Sequence, residues 1–279
     1  MSIVNYPLLD AIASELGDLP LALHLAGSFL AHYQRRVTPA DYLAQLQAAN
    51  PLNHPALQGR GAAASPTGHE LHVAKTFTLS FDQLDSADPI DALARHLLAR
   101  AACFAPGEPL PIVLLERTVE KSEAKAEVEK DDAGLASALA FEDAVHRLTT
   151  LGLLDPTGDE TVTLHRLLVA FVPQAAPDPA AQAAVEAVAL RELSTRIDQA
   201  GYIGSLLDIE VHIRTITDMA KLREDKRAAN LCEWLGYWLE QIGRYEEAQP
   251  YYEQALAINK AVLGPEHSNT ARSLNNLGA

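Results

Sequence analysis

Cysteine is almost absent: Cys103 and Cys232 stand far apart, which excludes a disulfide framework and a cysteine-rich zinc module. Aromatic residues make up only 6% of the 279-residue chain, with two tryptophans among them. No apolar run approaches the roughly 20 residues that a membrane-spanning helix needs. A basic-then-apolar leader ending in a small-residue cleavage site is also missing, so secretion is not indicated and a cytoplasmic location is expected. Positive charge is scarce, with 22 basic residues against 37 acidic ones and a net charge of −15. That balance argues against nucleic acid and membrane surfaces as partners. Two chemical signatures are missing as well. No Gly-x-x-x-x-Gly-Lys-Ser/Thr string is present to cradle phosphates, and no Gly-x-Ser-x-Gly elbow to present a nucleophile. The chain is expected to be non-catalytic.

What is abundant is Ala and Leu, which lose little conformational entropy in a helix, so the fold class expected is mainly α. Residues 7 to 33 read as two helices broken at Gly17-Asp18, the second opening on Pro20, where a missing N–H costs nothing. Thr38-Pro39-Ala40-Asp41 reads as an N-cap followed by Pro, starting a helix from Tyr42 to Gln47. From Asn50 to Gly68 the prolines and glycines predict a linker. Helices are then expected over 77–84, 92–104 and 138–151, the last with Leu139, Ala144, Leu148 and Leu151 at helical spacing. Between the last two, residues 116–132 form a stretch of mixed charge, read as a solvated helix or insertion.

The one β signal is a hairpin: Leu153-Leu154 and Thr161 to Leu164 flank the turn-rich run Asp155-Pro156-Thr157-Gly158-Asp159. Helix, hairpin, then helix (167–172) is the order of a winged helix. Its candidate recognition helix, 137–151, carries Glu142 and Asp143 against Arg147, and the wing is acidic too, so duplex binding is not expected. Beyond residue 180 only helices are predicted.

The strongest signal is a self-match at an offset of 42 residues, with Leu235-Gly236 recurring as Leu277-Gly278. Leu235, Gly236, Gly243, Tyr245, Ala248, Tyr252, Ala255 and Leu256 fall where a tetratricopeptide (TPR) repeat places its small and large packing residues. Gly236 and Ala255 would let two helices approach, Ala248 would permit their crossing and Tyr252 would fill the groove. Gly243-Arg244-Tyr245-Glu246-Glu247-Ala248 is similar to the tight turn between the two helices of one repeat. One and a half repeats are present, which reads as part of a longer array whose ligand is a protein or peptide.

Leu16-Gly17-Asp18-Leu19-Pro20-Leu21-Ala22-Leu23 resembles the Gly-Leu-Pro-Leu motif in the helical lid of NB-ARC domains, the nucleotide switch of STAND-class signalling NTPases. Asp18 stands where the motif has its first glycine. Phe77 to Leu84 resembles the opening of that family's winged-helix domain. Thr163-Leu164-His165-Arg166-Leu167 is similar to its Met-His-Asp position, with Leu164 and Arg166 replacing Met and Asp. The resemblance implies a lid remnant at 1–50, a linker at 51–71, a winged helix at 72–175, a helical linker at 176–226 and TPR helices at 227–279. It further implies that Pro20 and His165 contact ADP in a longer parent, which would bind ADP or ATP with magnesium through an upstream nucleotide-binding domain. The fragment alone is expected to be a monomer, with oligomerisation belonging to the activated parent. A plain TPR scaffold without a nucleotide switch, and a winged-helix transcription regulator, are the alternatives. His69 and His72, three apart beside the linker, read as a surface coincidence rather than a metal pair. Gly201 to Gly204 is too short for a phosphate loop and reads as a helix break.

Overall fold

The structure, a computed structural model, describes residues 6–48, 51–58, 60, 73–119, 132–198 and 206–278. In chain order the helices and strands begin with α1 (Tyr6–Glu15), α2 (Pro20–His32), α3 (Pro39–Ala48), α4 (Val73–Phe81) and α5 (Pro89–Ala101). They continue with β1 (Leu110–Pro111), α6 (Ile112–Arg117), α7 (Asp132–Thr150), β2 (Asp155–Pro156), β3 (Thr161–Thr163) and α8 (Arg166–Ala175). The remainder is helical: α9 (Ala181–Asp198), α10 (Glu210–Lys221), α11 (Lys226–Gln241), α12 (Tyr245–Leu263) and α13 (Ser268–Gly278). Two compact units result, each assembled from two stretches of chain. One takes the described residues up to 102 and from 132 to 178, the other those from 103 to 119 and from 179 onward. No described helix is long and apolar enough to cross a membrane.

In the first unit, local chemistry sets the helix starts. Thr38 and Asp41 form a reciprocal cap, the Asp41 backbone N–H donating to the Thr38 hydroxyl at 3.2 Å and the Thr38 N–H to Asp41 Oδ2 at 3.0 Å. Asp88 caps α5 one way, its carboxylate accepting from the backbone N–H of Ile90 and Asp91 ahead of Pro89. Ile12, Leu16, Leu25, Leu46, Leu57 and Leu167 then meet in one apolar core, so α8 shares its packing with α1 to α3.

Four local expectations change. The described part of the predicted linker is built into the core: Pro51–Asn53 and Pro55–Gln58 are two 3-10 turns, with Leu52, Ala56 and Leu57 buried. Proline opens each turn because its fixed φ suits a first turn, which composition alone had marked as a break. The first hairpin strand is Asp155–Pro156 rather than Leu153-Leu154, which instead turn into the core and donate backbone N–H bonds to Leu148 O. In α7 the helix begins earlier than expected and Leu139 is exposed, inward burial starting only at Phe141. Helix α8 runs through Pro173 to Ala175 instead of stopping ahead of it.

The second unit is a stack of antiparallel-connected helices held by charges taken out of water. Glu186 on α9 is fully buried and receives both terminal nitrogens of Arg223, at 2.7 and 2.9 Å. Glu192, one helical face further on, accepts from Arg117 of α6 and from Arg196 at 2.8 Å. His212 of α10 faces the 104–109 turn and is completely buried. Its Nδ1 accepts the Ala105 N–H at 3.1 Å, which leaves Nε2–H to donate to Pro109 O at 2.9 Å. Burial pushes this imidazole below its ordinary pKa, because the charged form loses its water.

A pH dependence follows. The folded pKa of His212 lies below the ordinary value near 6.5, so its contribution is complete above that pH and is lost as the pH falls toward the folded value. At pH 7.5 a His212→Gln variant is expected to be less stable than the parent by about 1–3 kcal/mol, the cost of buried partners left unpaired. At pH 5 the gap should narrow, as read by urea unfolding of both proteins at each pH. A gap that is constant across the range would show that the imidazole does not titrate in this window.

Candidate functional site

Two places carry the residues singled out in the sequence. The first is the α1–α2 turn of the first unit. Helix α1 closes with Gly17 N–H donating to Ser14 O and Asp18 N–H to Ala13 O, both at 3.0 Å, a Schellman pattern that requires a left-handed residue. Gly17 (φ 62°) and Asp18 (φ 56°) both adopt that conformation. Aspartate tolerates it better than most side chains, which is how Asp18 occupies a position where the resembling motif has glycine. Pro20 follows at the first position of α2, with its ring exposed.

His165 stands against this turn. It is the N-cap of α8, Nδ1 accepting the Leu167 N–H at 3.2 Å, so Nε2 carries the proton and donates to Gly17 O at 2.9 Å. Phe77 of α4 lies beside the imidazole, ring centroids 6.5 Å apart. Two sequence motifs 148 residues apart thus meet through one hydrogen bond. The contact joins His165 to Gly17, three residues before Pro20. A Cβ at Gly17 would fall 2.6 Å from His165 Nε2, so the turn must carry glycine there for shape as well as for φ.

The chemistry of this place is positional. Both imidazole nitrogens are engaged within the protein, and Pro20 offers no donor. In this arrangement the two residues do not fit a diphosphate contact.

The second place is the α11–α12 hairpin. Leu235, Ala248, Tyr252 and Ala255 are buried between the helices. A Cβ on Gly236 would meet the Tyr252 ring at 2.9 Å, so the absent side chain is what lets the ring lie against α11. The Tyr252 hydroxyl donates to Glu240 at 2.6 Å. Gly243 (φ 80°) ends α11 with the left-handed turn that reverses the chain. Tyr245 departs from the expected packing role. It is the first residue of α12, ahead of the inward face that begins at Ala248, and the residue is 67% exposed.

The sequence reading missed a polar knot in the same hairpin. Glu233, nearly buried, accepts from Ser273 Oγ at 2.5 Å, from Asn259 Nδ2 at 3.2 Å and from the Arg272 guanidinium. This carboxylate ties α11, α12 and α13 together. In α7, Arg147 donates to Asp91 at 2.9 Å and to Gln83 O at 2.8 Å, which commits the basic side chain of the candidate recognition helix inward. That bond holds the Asp91 carboxyl below the usual carboxylate range. His69, His72 and the 201–204 segment lie outside the described residues.

The tetratricopeptide repeat family matches residues 227–279, the segment that holds α11, α12 and α13. No curated protein and no solved structure matches the chain.

Each close approach predicts a cost. Gly236→Val should destabilise the protein by about 1–3 kcal/mol through overpacking against Tyr252. Gly236→Val should cost less in a Tyr252→Ala background than in the parent, a coupling of about 0.5–3 kcal/mol read by urea unfolding of the four proteins. Gly17→Ala should be destabilising through both φ and the His165 clash. Only the clash is relieved in Gly17→Ala/His165→Ala, so the double-mutant cycle should give a coupling of about 0.5–3 kcal/mol. Strict additivity would mean that the two side chains do not meet.

Proposed function

We propose that this chain is the regulatory, ligand-sensing portion of a STAND-class signalling or defence NTPase, itself non-catalytic. Its TPR helices would take a protein or peptide ligand, and a winged helix formed by 72–175 would relay that event to a nucleotide-binding domain elsewhere in the parent. What supports the protein-binding part is the repeat match over 227–279 together with the Gly236–Tyr252 packing. What supports the relay is the His165–Gly17 hydrogen bond, because the two residues it joins lie in the two motifs that resemble the nucleotide switch.

In this reading His165 acts first on the lid itself. Its ring couples the start of α8 to the end of α1, so anything that reorients α8 alters the turn leading into Pro20. A ligand on the repeats changes the switch only by binding one arrangement of this contact better than the other. ADP or ATP with magnesium belongs to the proposal through a P-loop domain of the parent.

The second reading is a TPR scaffold with no nucleotide switch. The full engagement of both His165 nitrogens inside the protein favours it. The two separate on the intact parent protein. Under the switch reading, ADP co-purifies with the parent in near-stoichiometric amount, measured by chromatography after denaturation. His165→Ala then releases it at least about tenfold faster while circular dichroism stays unchanged. ADP retention that His165→Ala leaves untouched would overturn the role of this residue, and a parent that carries no nucleotide would leave the scaffold.

A further inference from the structure

Helix α10 of the second unit carries two patterns on the side turned away from its packing. Ile213, Ile216, Thr217 and Ala220 are buried, and Leu222 continues the helical backbone past Lys221. Opposite them, Val211, Met219 and Leu222 are 41, 53 and 79% exposed. Thr215 stands between the first two, its hydroxyl donating back to Val211 O at 2.9 Å, so it demands nothing of a partner. With Thr215 these residues are three or four apart, the spacing of an apolar stripe that a neighbouring helix covers. Along one edge of the stripe runs a row of charges at the same spacing: Glu210, Arg214, Asp218 and Lys221, which alternates in sign and sums to zero. Two bonds hold the row in place, Arg214 Nε donating to Glu210 at 2.7 Å and Lys221 Nζ lying 2.6 Å from Asp218.

We infer that this face of α10 pairs with the same face of a second copy of the chain, the two helices running antiparallel about a two-fold axis at Thr215. In such an isologous pair each edge row meets its own copy running the other way. The row then sets Glu210 opposite Lys221 of the second copy and Arg214 opposite its Asp218, so every contact joins unlike charges. A parallel pair in register would set like against like. The apolar stripe shares that centre, with Val211 falling opposite Met219 and Thr215 opposite itself. Charge selects this partner over others as well. At a net −15, two copies repel except where their surfaces are locally neutral, whereas a basic partner would gain more from the acidic remainder of the surface. The inference departs from the monomer expected from the sequence, and it stands independently of the nucleotide-switch reading. A single helix pair lies at the small end of specific interfaces, so a dissociation constant of roughly 10–100 μM is expected.

Sedimentation velocity on the full chain from about 2 to 200 μM should show a monomer–dimer equilibrium with its midpoint inside that range. Met219→Glu sets a carboxylate in the stripe at an exposed position, so circular dichroism should stay unchanged while the dimer weakens at least about tenfold. The register is read by charge. Asp218→Arg alone brings two cations together across the axis, and Arg214→Glu alone brings two anions together, so each homodimer should be lost. An equimolar mixture of these two variants restores unlike charges at both contacts. It should dimerise near the parent affinity, a result that loss of folding cannot produce. Arg214 also donates to Glu247 within the chain, so if Arg214→Glu fails to fold, Asp218→Arg and Met219→Glu still decide. A chain that stays monomeric at about 200 μM, its α10 face left to solvent or to another partner, would overturn the inference. So would a dimer that Met219→Glu and Asp218→Arg leave at parent affinity, which places the contact elsewhere. Two folded charge variants that fail to dimerise when mixed would overturn the antiparallel register.

Discussion

A carboxylate taken out of water must find a counter-charge and enough donors, or the fold that buries it fails. The helices of the second unit are arranged around that requirement. Glu186, Glu192 and Glu233 are all buried, and each is met by arginine from another part of the chain. Helical packing of Ala and Leu alone would allow neighbouring helices to slide by a turn at modest cost. A buried Glu–Arg pair with fixed geometry does not, so these three sites set which helix faces which. Glu233 does so for three helices at once.

Small residues play the complementary part. Gly236 admits the Tyr252 ring, and Gly17 admits the His165 ring, each where a single methyl group would fall inside contact distance. In both cases a glycine on one helix or turn is the socket for an aromatic ring from elsewhere. The first is a local hairpin contact, the second closes a very long loop.

The parts legible in the sequence are those written within about a helical repeat of one another. The Thr38–Asp41 cap, the Asp155–Thr163 hairpin region and the α11–α12 spacing all depend on neighbours a few residues away, and periodicity or turn chemistry reveals them. The 3-10 turns at 51–58 were hidden because proline marks a chain break and a helix start with the same letter. Tyr245 lies outside the packing, and a repeat pattern gives spacing but not where along the helix the inward face begins. His212 and the buried glutamates carried little local signal, since their partners on other elements lie 26 to 107 residues away. At the candidate site, Pro20 and His165 could be singled out by motif. That His165 already gives both nitrogens to the protein was visible only in three dimensions.

The order in which the two units use the chain has its own consequence. The 103–119 stretch belongs with helices that begin only after residue 178, and the 132–178 stretch belongs with helices that end at residue 102. The units are therefore interleaved along the chain, like two threads each passing once through the other's span. On the ribosome, α6 emerges long before Glu192, the residue its Arg117 must find, so neither unit can close until the first has been synthesised to its last helix. A single cut after residue 178 keeps the first unit whole but strips the second of its 103–119 stretch.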